Sequence, residues 1–233
     1  MDIYAKDFDV EIKGDASPVT EADQRAEDLI LAALRLTDPE LHVLAEEAVS
    51  AGHIPEHGSR FALVDPLDGT REFVNRNGEF TVNIAIIEHG RPTMGVVYAP
   101  AKDPWQATAK PGADVPTERK TLKIRALPSA GPTAVASKSH RSPETEDILK
   151  AFGVAETIGA GSSLKFCLIA AGEADLYPRM GRTMEWDTAA GHAVVEAAGG
   201  RVLTEDGAPL LYGKTERGYD NPHFIVYGDI TPK

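Results

Sequence analysis

Apolar positions recur along this chain with two periods, and the places where one gives way to the other mark its elements. Phe8, Val10 and Ile12 alternate with polar residues in a short opening, the pattern of an edge strand. Thr20 and Asp23 stand in capping-box register, with Asp where Glu or Gln is usual, and predict a helix running to about Leu36. Its Leu29, Ile30, Ala33 and Leu34 keep the i, i+3, i+4 spacing of one face packed on a sheet. Residues 42–45 and 61–64 are short apolar runs that each end in carboxylates, so two strands are expected to deliver acids to one edge. A Gly/His/Pro-rich loop over 52–59 separates them. Residues 81–87 and 94–98, joined by His89-Gly90-Arg91-Pro92, predict an antiparallel hairpin that 105–109 and 122–125 extend.

Past the Pro/Gly-rich stretch 128–132 the pattern becomes alternating strands and helices, which predicts a boundary between an N-terminal α+β half, 1–128, and a C-terminal α/β half, 129–233. Residues 133–137 read as a strand, 143–152 and 163–171 as helices, and a third helix starts near Asp187 and stops at Gly199-Gly200. Residues 202–203 and 223–227 supply closing strands.

Composition narrows the function. At 42% hydrophobic and 26% charged, the 233 residues match an ordinary globular protein with a core of its own. The 36 Asp plus Glu against 24 Lys plus Arg give a formal charge of -12, which works against contact with a nucleic-acid polymer. One phosphorylated small molecule is compatible with that charge when cations intervene. The single Cys167 cannot form an intramolecular disulfide and reads as a small buried apolar residue in a reducing compartment. No apolar run approaches the ~18 residues of a membrane span, and the start lacks an export signal, so a cytoplasmic protein is expected.

The densest chemical signal is Val64-Asp65-Pro66-Leu67-Asp68-Gly69-Thr70. An apolar strand runs into two carboxylates three residues apart, with Pro66 fixing one φ and Gly69 permitting close backbone approach. Two carboxylates about 4 Å apart repel by roughly 4 kcal/mol at an effective dielectric near 20, so the arrangement calls for a cation or a proton. Glu46-Glu47 at the end of the preceding strand and Asp187 at a helix start add further acids with no basic sequence neighbour. Hard divalent cations, Mg²⁺ above all, suit such oxygen-only ligand sets. Taken singly, Asp187 reads equally as a helix cap, Asp23 as a first-turn acid and Asp68 as a turn residue.

In order along the chain, Thr20-Glu-Ala-Asp23, Glu46-Glu47, Asp65-Pro-Leu-Asp-Gly-Thr70, Asn77-Gly-Glu-Phe-Thr-Val-Asn-Ile84 and Trp186-Asp-Thr-Ala-Ala-Gly-His192 resemble the lithium-sensitive, magnesium-dependent phosphatase superfamily of inositol monophosphatases. Within it, Arg71-Glu72-Phe73, Gly78-Glu79-Phe80 and Gly161-Ser-Ser-Leu-Lys-Phe-Cys167 are similar to the CysQ-type 3'(2'),5'-bisphosphate nucleotidases. The resemblance covers the chain from about Asp15 onward. It implies an α/β (α+β) fold, a layered αβαβα sandwich of the inositol monophosphatase and sugar phosphatase type, forming one compact catalytic unit. The family's usual first helix is missing from the start of this sequence. That departure bears on the packing of the first layer and on a homodimer contact, and it leaves every motif residue in place.

The resemblance further implies two or three Mg²⁺ ions, one held by Glu46, Asp65 and the Leu67 carbonyl, a second by Asp65, Asp68 and Asp187. Thr70 would orient the attacking water, with Asp23 hydrogen-bonded to its hydroxyl and Glu46 touching that water through its metal. The Gly69 and Thr70 amides would hold the phosphate being removed, beside Asp187, as free N–H groups at a helix start suit an anion. Ser163 and Lys165 would bind the retained phosphate, and His140 would stack on adenine. The implied reaction is removal of the 3'-phosphate of adenosine 3',5'-bisphosphate, or of 3'-phosphoadenylyl sulfate, with a peripheral place at the inner membrane. Inositol monophosphate, fructose 1,6-bisphosphate and a non-catalytic metal- and phosphate-binding regulator are the alternatives. His192, within a helix, is expected to pack rather than to bind Mg²⁺.

Overall fold

A computed structural model describes residues 1–12, 18–102, 105–108, 120–136 and 142–232. In chain order the elements are β1 (Val10–Ile12), β2 (Pro18–Thr20), α1 (Glu21–Thr37), β3 (His42–Ala45), α2 (Glu46–Ser50), β4 (Arg60–Asp68), α3 (Thr70–Val74), β5 (Thr81–Glu88), β6 (Arg91–Ala99) and β7 (Trp105–Thr108). They continue with β8 (Thr133–Ala136), α4 (Pro143–Ala151), β9 (Glu156–Gly159), α5 (Leu164–Ala170), β10 (Leu176–Arg179), α6 (Glu185–Ala197), β11 (Arg201–Thr204) and β12 (Phe224–Tyr227). One five-stranded sheet runs β3-β4-β5-β6-β7, a second runs β11-β12-β10-β8-β9, and β1 pairs antiparallel with β2 as a separate ribbon.

The layers follow from which side chains point where. β4 is buried at every position from Phe61 to Leu67, with α1 and α6 both packed on it. α5 and α6 pack on each other between the sheets, α6 on β4, β5 and β6, α5 on β8, β10 and β12. Along β12, Phe224 and Val226 enter the main core with Phe166 and Val194, while Ile225 and Tyr227 enter a second cluster with Leu149 of α4. That period-two alternation puts α4 on the outer face of the second sheet and completes an αβαβα sandwich. α6 lies so close to β6 that a Cβ at Gly95 would sit 2.5 Å from the Ala190 carbonyl oxygen, so only glycine fits there.

The hairpin forms as expected, with His89 and Gly90 both at positive φ, the left-handed pair that a tight right-twisted hairpin turn requires. Three sequence expectations change. Residues 122–125 add no strand; Leu122 and Ile124 pack against the main core in irregular chain, and Arg125 is drawn to Asp175. β9 and β10 were not visible as strands, being short runs between helices whose pairing is supplied by β8. Helix α1 does pack on the sheet, but its fully buried residues are Asp23 and Glu27; of the apolar face, Ile30 and Leu34 are half-buried while Ala33 is exposed and Leu29 is 72% exposed. The first two turns of α1 face polar backbone and hydroxyl groups of its neighbours, so acids rather than apolar side chains are the ones fully buried there. Residues ahead of β1 close over α3, where the Tyr4 and Phe8 rings meet Phe73 at a tilt, 4.9 and 5.1 Å between ring centroids. Among the described residues no helix is long and apolar enough to cross a membrane.

Candidate active site

Four carboxylates arrive from three elements. β3 and β4 run parallel with Ala45 beside Val64, so Glu46 and Asp65 leave neighbouring strands one residue further on. Asp65 and Asp68 are three apart, and in a regular strand they would point to opposite faces. Against β5, however, Asp65 pairs with Asn83 and Asp68 with Thr81, three steps on one strand for two on the other. The extra residue is a bulge around Pro66, a position where proline is tolerated, and it brings both acids to one side. Asp187 comes from the first turn of α6, where its Oδ2 also accepts the Met184 amide at 2.8 Å. Its reading as a helix cap and its reading as a site acid therefore both hold.

Ligand oxygens of Glu46, Asp65 and Asp187 lie within 4.8 Å of one another. At that separation a pair of charges repels by about 3.5 kcal/mol at an effective dielectric of about 20, and Asp65 is only 1% exposed. Burial, then the charges of Glu46, Asp68 and Asp187, hold the Asp65 carboxyl well above its usual range. Burial, then Asp68 and Glu46, do the same to Asp187. Asp68 is steadied by Thr81 Oγ1 and Asn83 Nδ2 at 3.4 and 3.3 Å. An all-oxygen set this crowded fits a hard divalent ion, which replaces the missing counter-charge.

Next to the acids, Thr70 Oγ1 sits 3.2 Å from Asp23 Oδ1 and 3.3 Å from the Leu67 carbonyl, either of which can accept its proton. The other Asp23 oxygen accepts the Thr20 amide and hydroxyl, both at 2.7 Å, in the capping box read from the sequence. Gly69 precedes α3 at φ 92, and its missing side chain leaves room beside the Glu79 carbonyl and Ser162.

A cleft of about 490 Å³ opens on Asp68, Gly69 and Asp187 and is lined further by Ser162, Lys165 and Arg179. Lys165 and Arg179 form no ion pair among the described residues. Burial depresses the Lys165 ammonium to about 8; Asp68 opposes it, Arg179 adds a smaller depression, and Glu72 and Glu79 pull weakly upward. Ser163 is not in the cleft wall: it is 1% exposed, its hydroxyl donating to the Asp187 carbonyl at 2.8 Å and accepting from Asn83 at 2.9 Å. The residue that lines the cleft is its neighbour Ser162, which has φ 41 and no partner for its buried Oγ among the described residues. Single-residue shifts of this kind are invisible to spacing arguments. In the sequence Arg179 reads as a loop cation that reaches either phosphate or solvent, whereas it ends β10, and Asn83 reads as part of a strand. His140 lies outside the described residues. Cys167 is buried and its thiol pushed up by burial, consistent with an inert core residue. His192 is a packed residue as expected, with Nδ1 3.0 Å from the Tyr212 hydroxyl and Nε2 3.2 Å from the Glu196 carboxylate.

The layered α/β fold is that of a phosphatase family, and the acid cluster at the strand ends could hold a metal ion. The chain matches the inositol monophosphatase family over residues 1–225 and belongs to that family, whose members are Mg²⁺-dependent. It is 47% identical over 230 residues to the 3'(2'),5'-bisphosphate nucleotidase CysQ of Escherichia coli O157:H7, covering 97% of this chain and 92% of that protein. Among solved structures it resembles CysQ from Bacteroides thetaiotaomicron, with 39% identity, a TM-score of 0.70, and 90% and 84% of the two chains covered. The Thermotoga maritima inositol monophosphatase TM1415 superposes with a TM-score of 0.75 at 26% identity, covering 95% and 83%.

Proposed function

We propose that this chain is a Mg²⁺-dependent phosphohydrolase that removes the 3'-phosphate of adenosine 3',5'-bisphosphate, giving AMP and inorganic phosphate, and that it also accepts 3'-phosphoadenylyl sulfate. The observation that carries the reading is one cleft whose wall carries the site acids Asp68 and Asp187 together with the cations Arg71, Lys165 and Arg179. A substrate with two phosphates meets both needs. The nucleotidase names of the relatives support the same substrate.

Glu46, Asp65, Asp68, Asp187 and the Leu67 carbonyl are the proposed ligands of two or three Mg²⁺ ions, which would stabilise charge on the transferred phosphoryl group and on the leaving ribose oxygen. Thr70 orients the attacking water. With its own proton directed to Asp23 or Leu67, its oxygen offers lone pairs to an incoming O–H. Asp23, held from behind by Thr20, takes the proton relayed through that hydroxyl. Glu46 is the further acid beside the same water. The water oxygen bonds to phosphorus, the P–O bond to the ribose breaks, and the freed ribose oxygen is protonated from solvent. The Gly69 and Thr70 amides hold the departing phosphate. Lys165, Arg179 and Ser162 hold the retained one, with Ser163 acting beneath them by fixing Asn83 and the Asp187 backbone. His140 is proposed for the adenine from the sequence resemblance.

The deciding experiment is phosphate release from a panel of adenosine 3',5'-bisphosphate, 3'-phosphoadenylyl sulfate, inositol monophosphate and fructose 1,6-bisphosphate, with and without Mg²⁺. The expected outcome is the highest kcat/KM for the nucleotide bisphosphate and no turnover without metal. A preference for the inositol or sugar phosphate would replace the substrate assignment. No release from any of them at saturating Mg²⁺ would favour a binding protein.

A further inference from the structure

Glu27 has no part in the reaction as described so far, yet it is 5% exposed and its carboxylate is fully engaged at a distance of 20 residues. One oxygen accepts the Glu47 amide and the other the Ala48 amide, both at 2.8 Å. Those are among the first N–H groups of α2, a helix of five residues whose N-cap, Ala45, offers no side chain to satisfy them. Glu27 thus caps α2 from another helix, and the first residue of α2 is Glu46. A single-turn helix has almost no stability of its own, so the direction in which Glu46 leaves the end of β3 depends on what secures that turn.

Asp23 is one turn before Glu27 on α1, and the two are the residues α1 buries. Asp23 reaches Thr70 and Glu27 reaches α2, so one face of α1 touches the supports of two different parts of the site. We propose that Glu27 is a positioning residue for the metal ligand Glu46, and that α1 is the strut fixing the water-orienting Thr70 and the Glu46 oxygen in one frame. The inference rests on the metal-site reading given under the proposed function. It also explains why α1 buries two acids in its first turns: that part of its face seats backbone donors and a hydroxyl.

The test is calorimetric titration of Mg²⁺ into wild type, Glu27→Gln, Glu27→Asp and Glu46→Gln, at a temperature where circular dichroism shows each folded. Gln keeps the shape but turns an N–H₂ group toward one of the two backbone donors, and Asp keeps the charge but withdraws it by a methylene. Partners that orient a metal ligand typically change affinity by about 10–100-fold, and a Mg²⁺ dissociation constant raised by that factor is expected in both Glu27 variants. Excess Mg²⁺ should then restore most of kcat with KM for the bisphosphate unchanged. Asp23→Asn should do the reverse, lowering kcat with Mg²⁺ affinity kept. If folded Glu27 variants bind Mg²⁺ as wild type does, the residue only stabilises the fold and the proposal is overturned. If wild type itself binds no Mg²⁺, the metal-site reading falls and takes this inference with it, a distinguishable result. Should the variants not fold, hydrogen exchange on wild type decides. Coupling is reciprocal, so Mg²⁺ must slow exchange at the Glu47 and Ala48 amides. Unchanged exchange there would sink the proposal.

Discussion

Asp65 and Asp175 are the same residue type, each 1% exposed, and they have opposite surroundings. Asp175 accepts Arg125 through both oxygens, at 2.9 and 2.6 Å, and the Thr133 amide at 2.8 Å. Every charge there has its partner, and the cluster ties irregular residues before β8 to the turn ahead of β10. Asp65 has three other carboxylates nearby and one backbone donor, the Leu67 amide at 2.9 Å. Burial by itself does not distinguish a structural acid from a functional one. The distinguishing quantity is counter-charge: where the chain supplies it, the acid holds the fold together, and where the chain withholds it, the acid waits for an ion.

That contrast can be broken most directly by Asp65→Asn. Turnover is expected to fall by about 10³-fold or more, since the shared metal ligand is lost, while the metal-free protein melts at a higher temperature because like-charge repulsion is relieved. Phosphate release and melting in chelator read the two effects together, and a lower melting temperature would remove the physical basis of the site. Asp175→Ala should do the opposite. Folding stability drops by about 3 kcal/mol, discounted from a fully buried pair because Arg125 is 34% exposed, and the folded fraction turns over normally. Denaturant titration measures it.

Third in size is the effect of metal on stability. At 100 times its dissociation constant, Mg²⁺ should add about 2.7 kcal/mol. The sign with pH follows from the raised Asp65 and Asp187 carboxyls. Their contribution to metal-free stability is complete in acid, below the ordinary carboxylate range, and is lost as pH rises through their folded values. Protons and Mg²⁺ compete for the same oxygens, so the Mg²⁺-induced rise in melting temperature should grow from mildly acidic to neutral pH. A shift independent of pH would place the ion elsewhere.

The cationic side of the cleft offers two smaller tests. Because Lys165 sits at about 8, its charge is present below that pH and disappears above it. For the bisphosphate, kcat/KM should fall as pH rises through about 8, approaching tenfold per pH unit, while a substrate lacking the second phosphate shows no such fall. Smallest of all, Ser162→Gly relieves a left-handed backbone worth about 1 kcal/mol and should stabilise the protein while raising KM. Stabilisation with KM unchanged would leave Ser162 out of the substrate contacts.

How much of this was legible beforehand depended on the range of the interaction involved. The Thr20–Asp23 box, the His89-Gly90 turn and a helix start near Asp187, observed at Glu185, are set by contacts within four residues and are legible from spacing. The acids of the site were legible as a group, because Glu46, Asp65 and Asp68 each close an apolar run. The exposed leucines of α1, the exchange of Ser163 for Ser162 in the cleft wall and the trans cap at Glu27 were not. The last two depend on partners between 20 and 80 positions away, such as the Asn83 amide that donates to Ser163.

The sequence by itself determined which residues are chemically able to act and the order in which the chain presents them. The tertiary structure decided which of them meet. A bulge of one residue at Pro66 reverses the side to which Asp68 points, and sheet pairing, not local propensity, sets that bulge. The physical reason is that side-chain direction alternates with every step along a strand, so register, fixed only when distant strands pair, determines whether two acids share a cleft or face away from each other.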